Sequence, residues 1–129
     1  MRLIVVGGGK LGYNLLKKLI KDNHKVTLID KDKKVCDTIV ENMNVNVILG
    51  DGSDLQTLKE AGIGKADVIV AVTGSDECNF VICETVKTIY SDKKTIACVN
   101  NPDNIEAFKL LGIDKVFCGA EEISRLIKS

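Results

Sequence analysis

The sequence predicts an α/β domain: a doubly wound, parallel, six-stranded sheet with helices on both faces. Three observations carry this. Short apolar runs alternate with segments of helical periodicity along the whole chain. The first run, Leu3 to Val6, leads into Gly7-Gly8-Gly9-Lys10-Leu11-Gly12, a G-x-G-x-x-G pattern that opens a helix. The run Val68-Ile69-Val70-Ala71-Val72 is continuously apolar, as expected of a parallel strand covered on both faces. Right-handed crossovers and a glycine-rich first turn favour the Rossmann strand order 3-2-1-4-5-6. Taken alone, the glycines also read as an ordinary glycine-rich turn, so the surrounding elements decide.

Strand one is Arg2 to Val6. Leu11, Leu15, Leu16, Leu19 and Ile20 then recur at helical spacing from Lys10 to Asp22. Strand two is Lys25 to Asp30, and Val35, Ile39 and Val40 mark a helix from Asp32 to about Met43. Strand three is Val45 to Gly50. Ser53 is expected to cap a short helix through Glu60 that stops at Gly62. Strand four is Asp67 to Thr73, and Ser75 caps a helix from Asp76 to about Tyr90. Strand five is Lys94 to Asn100. Asn101-Pro102 then reads as an N-cap followed by proline at the first helical position, and that helix stops at Gly112. Lys115 to Cys118 is a short sixth strand. In a last helix, Ala120 to Lys128, the apolar residues Ile123, Leu126 and Ile127 share one side. That side is either a dimer contact or packs on its own sheet.

A chain of 129 residues fits one domain, spanning residues 1–129. Net charge is zero and aromatics are 4%, so neither a nucleic-acid footprint nor a base-stacking platform is expected. No apolar run approaches the roughly 20 residues of a membrane span. The first strand begins at the amino terminus and leaves no room for a signal peptide. A cytoplasmic protein without direct membrane insertion is expected. The five cysteines lack any C-x-x-C or C-x-x-H spacing, which argues against zinc and a disulfide framework. They read as small core or helix-surface residues; a redox-sensing thiol would need an activating environment.

In this fold, ligands lie at the carboxyl ends of the strands, beside strand one. Gly7 allows the tight turn, Gly9 lets a pyrophosphate approach the backbone, and Gly12 lets the helix pack close to the sheet. The helix N-terminus adds free N–H groups and a positive dipole end. Asp30 ends strand two, where a carboxylate accepts from adenosine ribose hydroxyls; it is also placed to cap the next helix. An acid there repels a 2′-phosphate and favours NAD or ATP over NADP, a preference that Lys31, Lys33 and Lys34 weaken slightly. Asp51, after strand three, either accepts from the adenine amino group or serves turn chemistry. Gly74 permits close approach of a ligand, and Asp76 and Glu77 are first-turn acids that favour the helix dipole. Lys10 either reaches a phosphate or is a surface lysine.

The same stretches carry a resemblance. Gly7 to Gly12, Leu28-Ile29-Asp30-Lys31-Asp32, Leu49-Gly50-Asp51-Gly52-Ser53, Ala71 to Asn79, Asn101-Pro102 and Leu111-Gly112-Ile113-Asp114 form a recognisable series. Together they resemble the nucleotide-binding domain of Trk-type potassium-uptake regulatory proteins, the KTN or RCK N-terminal domain, over essentially the whole chain. The resemblance implies a cytosolic regulator docked on a membrane potassium transporter or channel. It implies assembly as a homodimer or a higher ring, and NAD(H), ATP or ADP bound at the glycine loop to gate potassium flux without catalysis. By position it assigns phosphate binding to Gly7, Gly8, Gly9, Lys10 and Leu11, and ribose binding to Asp30 with Lys31 beside it. It assigns adenosine contacts to Asp51 and Gly52, and further ligand contacts to Thr73, Gly74 and Glu77. Two departures stand out: Asn100 occupies a place where many members carry arginine, and residues 1–129 are expected to form the nucleotide-binding domain without the usual C-terminal lobe.

The rival reading is a fragment of an NAD-dependent oxidoreductase. Tyr13 and Lys17 match a Y-x-x-x-K pair, yet they sit on the first helix rather than beside a nicotinamide. His24 lies in a turn far from the strand carboxyl ends, a poor place for an acid or base. A methyltransferase also uses a glycine loop and a strand-two acid, but chain length and the residues after strand four argue against it. A receiver domain would place acids, not glycines, after strand one.

Overall fold

The computed structural model describes residues 1–129 and confirms the doubly wound sheet. Six parallel strands run in the order β3-β2-β1-β4-β5-β6. They are β1 (Arg2–Val6), β2 (Lys25–Asp30), β3 (Asn46–Leu49), β4 (Val68–Ala71), β5 (Lys94–Cys98) and β6 (Lys115–Phe117). The helices are α1 (Lys10–Lys21), α2 (Lys33–Asn42), α3 (Leu55–Glu60), α4 (Asp76–Ile89), α5 (Ile105–Leu111) and α6 (Gly119–Lys128). Val5 of β1 pairs with Leu28 on one side and Val70 on the other, so β1 lies at the centre, where the chain reverses its winding direction.

Strand alternation divides the apolar residues between two cores. Leu3 and Val5 point to one face and pack with Leu16 of α1 and Ile39 of α2. Ile4 and Val6 point to the other, among Leu58, Ile82, Val86 and Phe108. Phe80 and Phe108 meet edge to face at 5.3 Å between ring centroids, joining α4 to α5. The second core is the larger because β4 and β5 add Ile69, Ala71 and Ala97 to it, and Val99 follows just beyond β5.

Local chemistry revises several boundaries. Asp54, not Ser53, caps α3 and accepts from the Thr57 amide at 3.0 Å. Ser53 is held instead by Asp51, so its hydroxyl does not reach the helix. Asp32 caps α2 through the Lys34 amide, and Asp30 is therefore not the helix cap. Asn101 caps a single 3₁₀ turn, Pro102–Asn104, that precedes α5. Strands β4 and β5 end at Ala71 and Cys98, two residues before the expected ends, because their last residues turn into the loops that edge the cleft. The apolar side of α6 does not pack on its own sheet: Ile123, Leu126 and Ile127 are 60%, 72% and 79% exposed.

Candidate nucleotide site

The carboxyl ends of β1 to β5 border a cleft of about 710 Å³. Its floor is the turn from β1 into α1. The Gly7 amide donates to Ile29 O at 3.0 Å, which seats the turn on β2. Gly7 adopts a φ of 111°, a left-handed conformation that L side chains avoid. A methyl group there would also lie 2.7 Å from Thr73 N. A methyl group on Gly12 would lie 1.8 Å from Gly7 O, so α1 starts this close to the turn only because position 12 lacks a side chain. Gly9 has open space around it on the cleft side. The first-turn amides of α1 have no carbonyl partner within the helix and can receive an anion.

Of the residues expected at the site, the cleft brings together Gly7, Gly9, Lys10, Leu11, Asp30, Lys31, Asp51, Gly52, Thr73, Gly74 and Glu77. Gly8 is the exception. It lines a smaller cleft between α1 and α2 with Tyr13, Lys34 and Thr38. Its amide donates to Asp30 Oδ2 at 2.8 Å. Tyr13 thus faces away from the main cleft.

Asp30 joins β2 to the glycine loop. One carboxylate oxygen receives the Gly8 amide and the other receives the Asp32 amide, each at 2.8 Å. Each oxygen keeps one lone pair for a ligand. Asp51 takes the Ser53 amide at 2.9 Å and the Ser53 hydroxyl at 2.7 Å on Oδ1. These bonds hold its carboxyl below the ordinary range. The turn role of Asp51 is therefore filled, and Oδ2 remains beside the cleft.

The far wall comes from β4, α4 and β5. Thr73 lines it, but its hydroxyl points inward and donates to Asn79 Oδ1 at 2.6 Å. Asp76 is more than a first-turn acid. Its carboxylate accepts the Asn100 and Asn101 amides at 2.7 and 2.9 Å and the Asn104 side-chain amide at 2.9 Å. Burial works to raise its pKa, and the three N–H donors together hold it below the usual range. Asn100, in the place where the resemblance led to an expected arginine, donates from Nδ2 to Gly74 O at 3.1 Å and lines the cleft.

Sequence reasoning missed Asp32, Ser53, Cys98 and Asn100 as cleft residues, since a strand end reveals itself only when neighbouring strands are set side by side. It also missed Asn79, whose place in the second turn of α4 gave no signal of burial. The cysteines are free, and Cys36, Cys83 and Cys118 are buried. Burial pushes the Cys83 thiol up to about 12 and raises Cys36 and Cys98 as well.

None of the ion pairs in the structure involves Lys10, Lys31, Asp30, Asp51 or Glu77. The charges at the cleft are thus left to solvent or to a ligand. Sheet order, a glycine-rich turn at the switch point and a strand-two acid tied to that turn define a Rossmann-type domain. The chain belongs to the TrkA-N domain family, which matches residues 3–119. It is 47% identical over 116 residues to the Trk system potassium uptake protein TrkA homolog of Methanothermobacter thermautotrophicus, covering 90% of this chain and 53% of that relative. It is 35% identical over 143 residues to a Trk system potassium uptake protein trkA homolog 1 of Methanosarcina mazei, covering 100% of this chain and 34% of the relative. The chain therefore spans about half the length of the first relative and a third of the second. It superimposes on the crystal structure of GsuK bound to ADP with a TM-score of 0.83 at 26% identity, covering 98% of this chain and 32% of that one. The TrkA-N domain of inner membrane protein ybaL from Escherichia coli shares the fold, with a TM-score of 0.87 at 21% identity over 98% of this chain and 93% of that one. No helix is long and apolar enough to cross a membrane.

Proposed function

We propose that this chain is the nucleotide-sensing regulatory domain of a potassium uptake system. It binds NAD(H), or alternatively ATP or ADP, in the cleft, and the bound ligand gates potassium flux through a membrane transporter or channel subunit. The observation that carries the reading is the Asp30 bridge. One carboxylate holds the Gly8 amide of the loop, lines the cleft and keeps a lone pair free on each oxygen. A ribose diol set there places its phosphates over Gly9, Lys10 and Leu11. Asp51 and Gly52 flank the adenine, and Thr73, Gly74 and Glu77 border the ligand's far end. A carboxylate at position 30 disfavours a 2′-phosphate.

The relatives named for potassium uptake and the ADP-bound GsuK support this reading. A gate needs a second state that the ligand binds differently. We assign that state to an assembly, a homodimer or higher ring, in which the exposed apolar side of α6 meets a second copy. The domain acts at the cytoplasmic face of the membrane through its partner, without membrane insertion, and binds its ligand without turning it over. Neither Tyr13 nor His24 lines the cleft, which supports a sensing role over an oxidoreductase fragment.

Titration of NADH, NAD, NADPH, ATP and ADP against thermal unfolding tests the reading. A ligand that binds only the folded state raises the apparent midpoint according to its affinity. A rise with NADH or with ATP and ADP, and none with NADPH at equal concentration, is expected. No shift with any of them, or steady consumption of NADH by the purified chain, rejects it.

A further inference from the structure

Asn79 is one of only two fully buried polar residues, and it lies directly behind the cleft wall. Its carboxamide uses all four of its hydrogen-bonding positions. Oδ1 accepts the Thr73 amide at 3.0 Å and the Thr73 hydroxyl at 2.6 Å. Nδ2 donates to Thr73 O at 3.1 Å and to Cys98 O at 2.9 Å. Only this orientation of the amide matches two donors to two carbonyls. One side chain therefore holds the amide, carbonyl and hydroxyl of Thr73 and ties them to the end of β5. Thr73 in turn is the wall of the glycine loop, since a methyl group on Gly7 would lie 2.7 Å from its amide nitrogen.

We propose that Asn79 is a positioning residue of the nucleotide site, a role that rests on the cleft being that site. It does not touch the ligand. It holds Thr73 where Gly7 must close against it, and so sets the shape of the loop that receives the phosphates. It also ties Thr73, against which the loop packs, to the end of β5, so a ligand seated on the loop is felt at Cys98. The Thr73 hydroxyl is committed to Asn79, so the cleft meets that residue through its backbone and methyl group. The Asn79 side-chain amide protons, sealed from solvent, report on the loop.

Two measurements test this. In Asn79→Ala, the NADH affinity measured by calorimetry well below the unfolding midpoint falls at least tenfold, and amide exchange at Gly8 and Gly9 accelerates. Thr95→Val serves as the control. It removes a hydroxyl that is equally buried, at the opposite end of β5, and leaves NADH affinity within twofold. Equal losses in both variants would mean general destabilisation and overturn the proposal, as would unchanged affinity and exchange in Asn79→Ala. The second measurement uses the unaltered chain and does not depend on a variant folding. Addition of NADH shifts the Asn79 side-chain amide resonances, and their staying fixed while the Gly9 amide moves overturns the coupling. If the unaltered chain binds no nucleotide, the functional reading fails by itself. Exchange at Gly8 and Gly9 in Asn79→Ala then still decides whether Asn79 positions the loop.

Discussion

A carboxylate fastens each end of strand β5 to helix α4, Asp114 through Lys87 of that helix and Asp76 from the helix itself, and the two fastenings differ in what they leave open. At the amino end of β5, Asp114 Oδ2 receives the Lys87 ammonium at 2.8 Å and the Thr95 amide at 2.7 Å. That site is closed, because its charge is neutralised within the chain. The Lys87 side chain holds the Asp114 carboxyl below its usual range, helped by the Thr95 amide. At the carboxyl end, Asp76 collects three N–H groups and no cation. The charged side chains of the adjacent cleft are unpaired too. The same chemistry secures the strand in both places. Only the end whose charges the chain leaves unpaired can answer to a ligand.

The largest expected effect breaks the open end outright. Gly12→Ala drives a methyl group into Gly7 O and should lower unfolding stability by roughly 1–3 kcal/mol, the range for overpacking, while abolishing nucleotide binding. Denaturant titration and calorimetry on the same sample check both. A variant that binds NADH normally would mean that the loop is not the phosphate cradle. Next, Asp30→Ala should weaken nucleotide binding by about 1.5–3 kcal/mol, the range for hydrogen bonds to charged groups. Unchanged calorimetric affinity would remove Asp30 from the ligand.

Asp114→Ala probes the closed end. Its side chain is 41% exposed, and solvent screening lowers the expected loss to about 1 kcal/mol of stability. Nucleotide affinity should stay constant, and a matching loss of affinity would erase the contrast between the two ends. Mild acid tests both ends together. Asp51, Asp76 and Asp114 all have lowered pKa values in the fold. Their contribution is therefore complete above the ordinary carboxylate pKa of about 4 and is lost as pH falls through the lower folded values. Unfolding midpoints should be flat from about pH 7 to 5 in this respect and drop below about pH 4, less steeply in Asp114→Asn. The smallest effect on stability lies away from β5. Leu126→Glu should change stability by less than about 0.5 kcal/mol, because that side chain is 72% exposed, yet reduce self-association in sedimentation. A large loss of stability would show that α6 packs within its own domain.

Much of the site is legible in the linear sequence. A glycine pattern after an apolar run, followed by an acid at the end of strand two, constrains backbone geometry and charge at positions that the chain connectivity itself brings together. Gly7, Gly9, Lys10, Asp30 and Asp51 accordingly line one cleft. The residues that a linear reading misses depend on distant segments. Asn79 reads as one more polar helix residue until β5 places Cys98 O beside it. Asp76 reads as a dipole-favouring acid until the turn after β5 offers it two backbone amides. Ser53 and Asp54 are equally good caps by type, and Asp51 settles the choice by engaging Ser53 first.

The sequence by itself determined the strand–helix alternation, the strand order and the position of the glycine loop. Periodicity, turn residues and the handedness of crossovers are local properties of the chain. Tertiary structure alone decided which polar groups are used up within the fold and which face the cleft. It tied the Gly8 amide to Asp30, turned the Thr73 hydroxyl toward Asn79, and left the apolar side of α6 uncovered. A hydrogen-bonding group has a limited number of partners, and who reaches it first depends on distances that no linear pattern records.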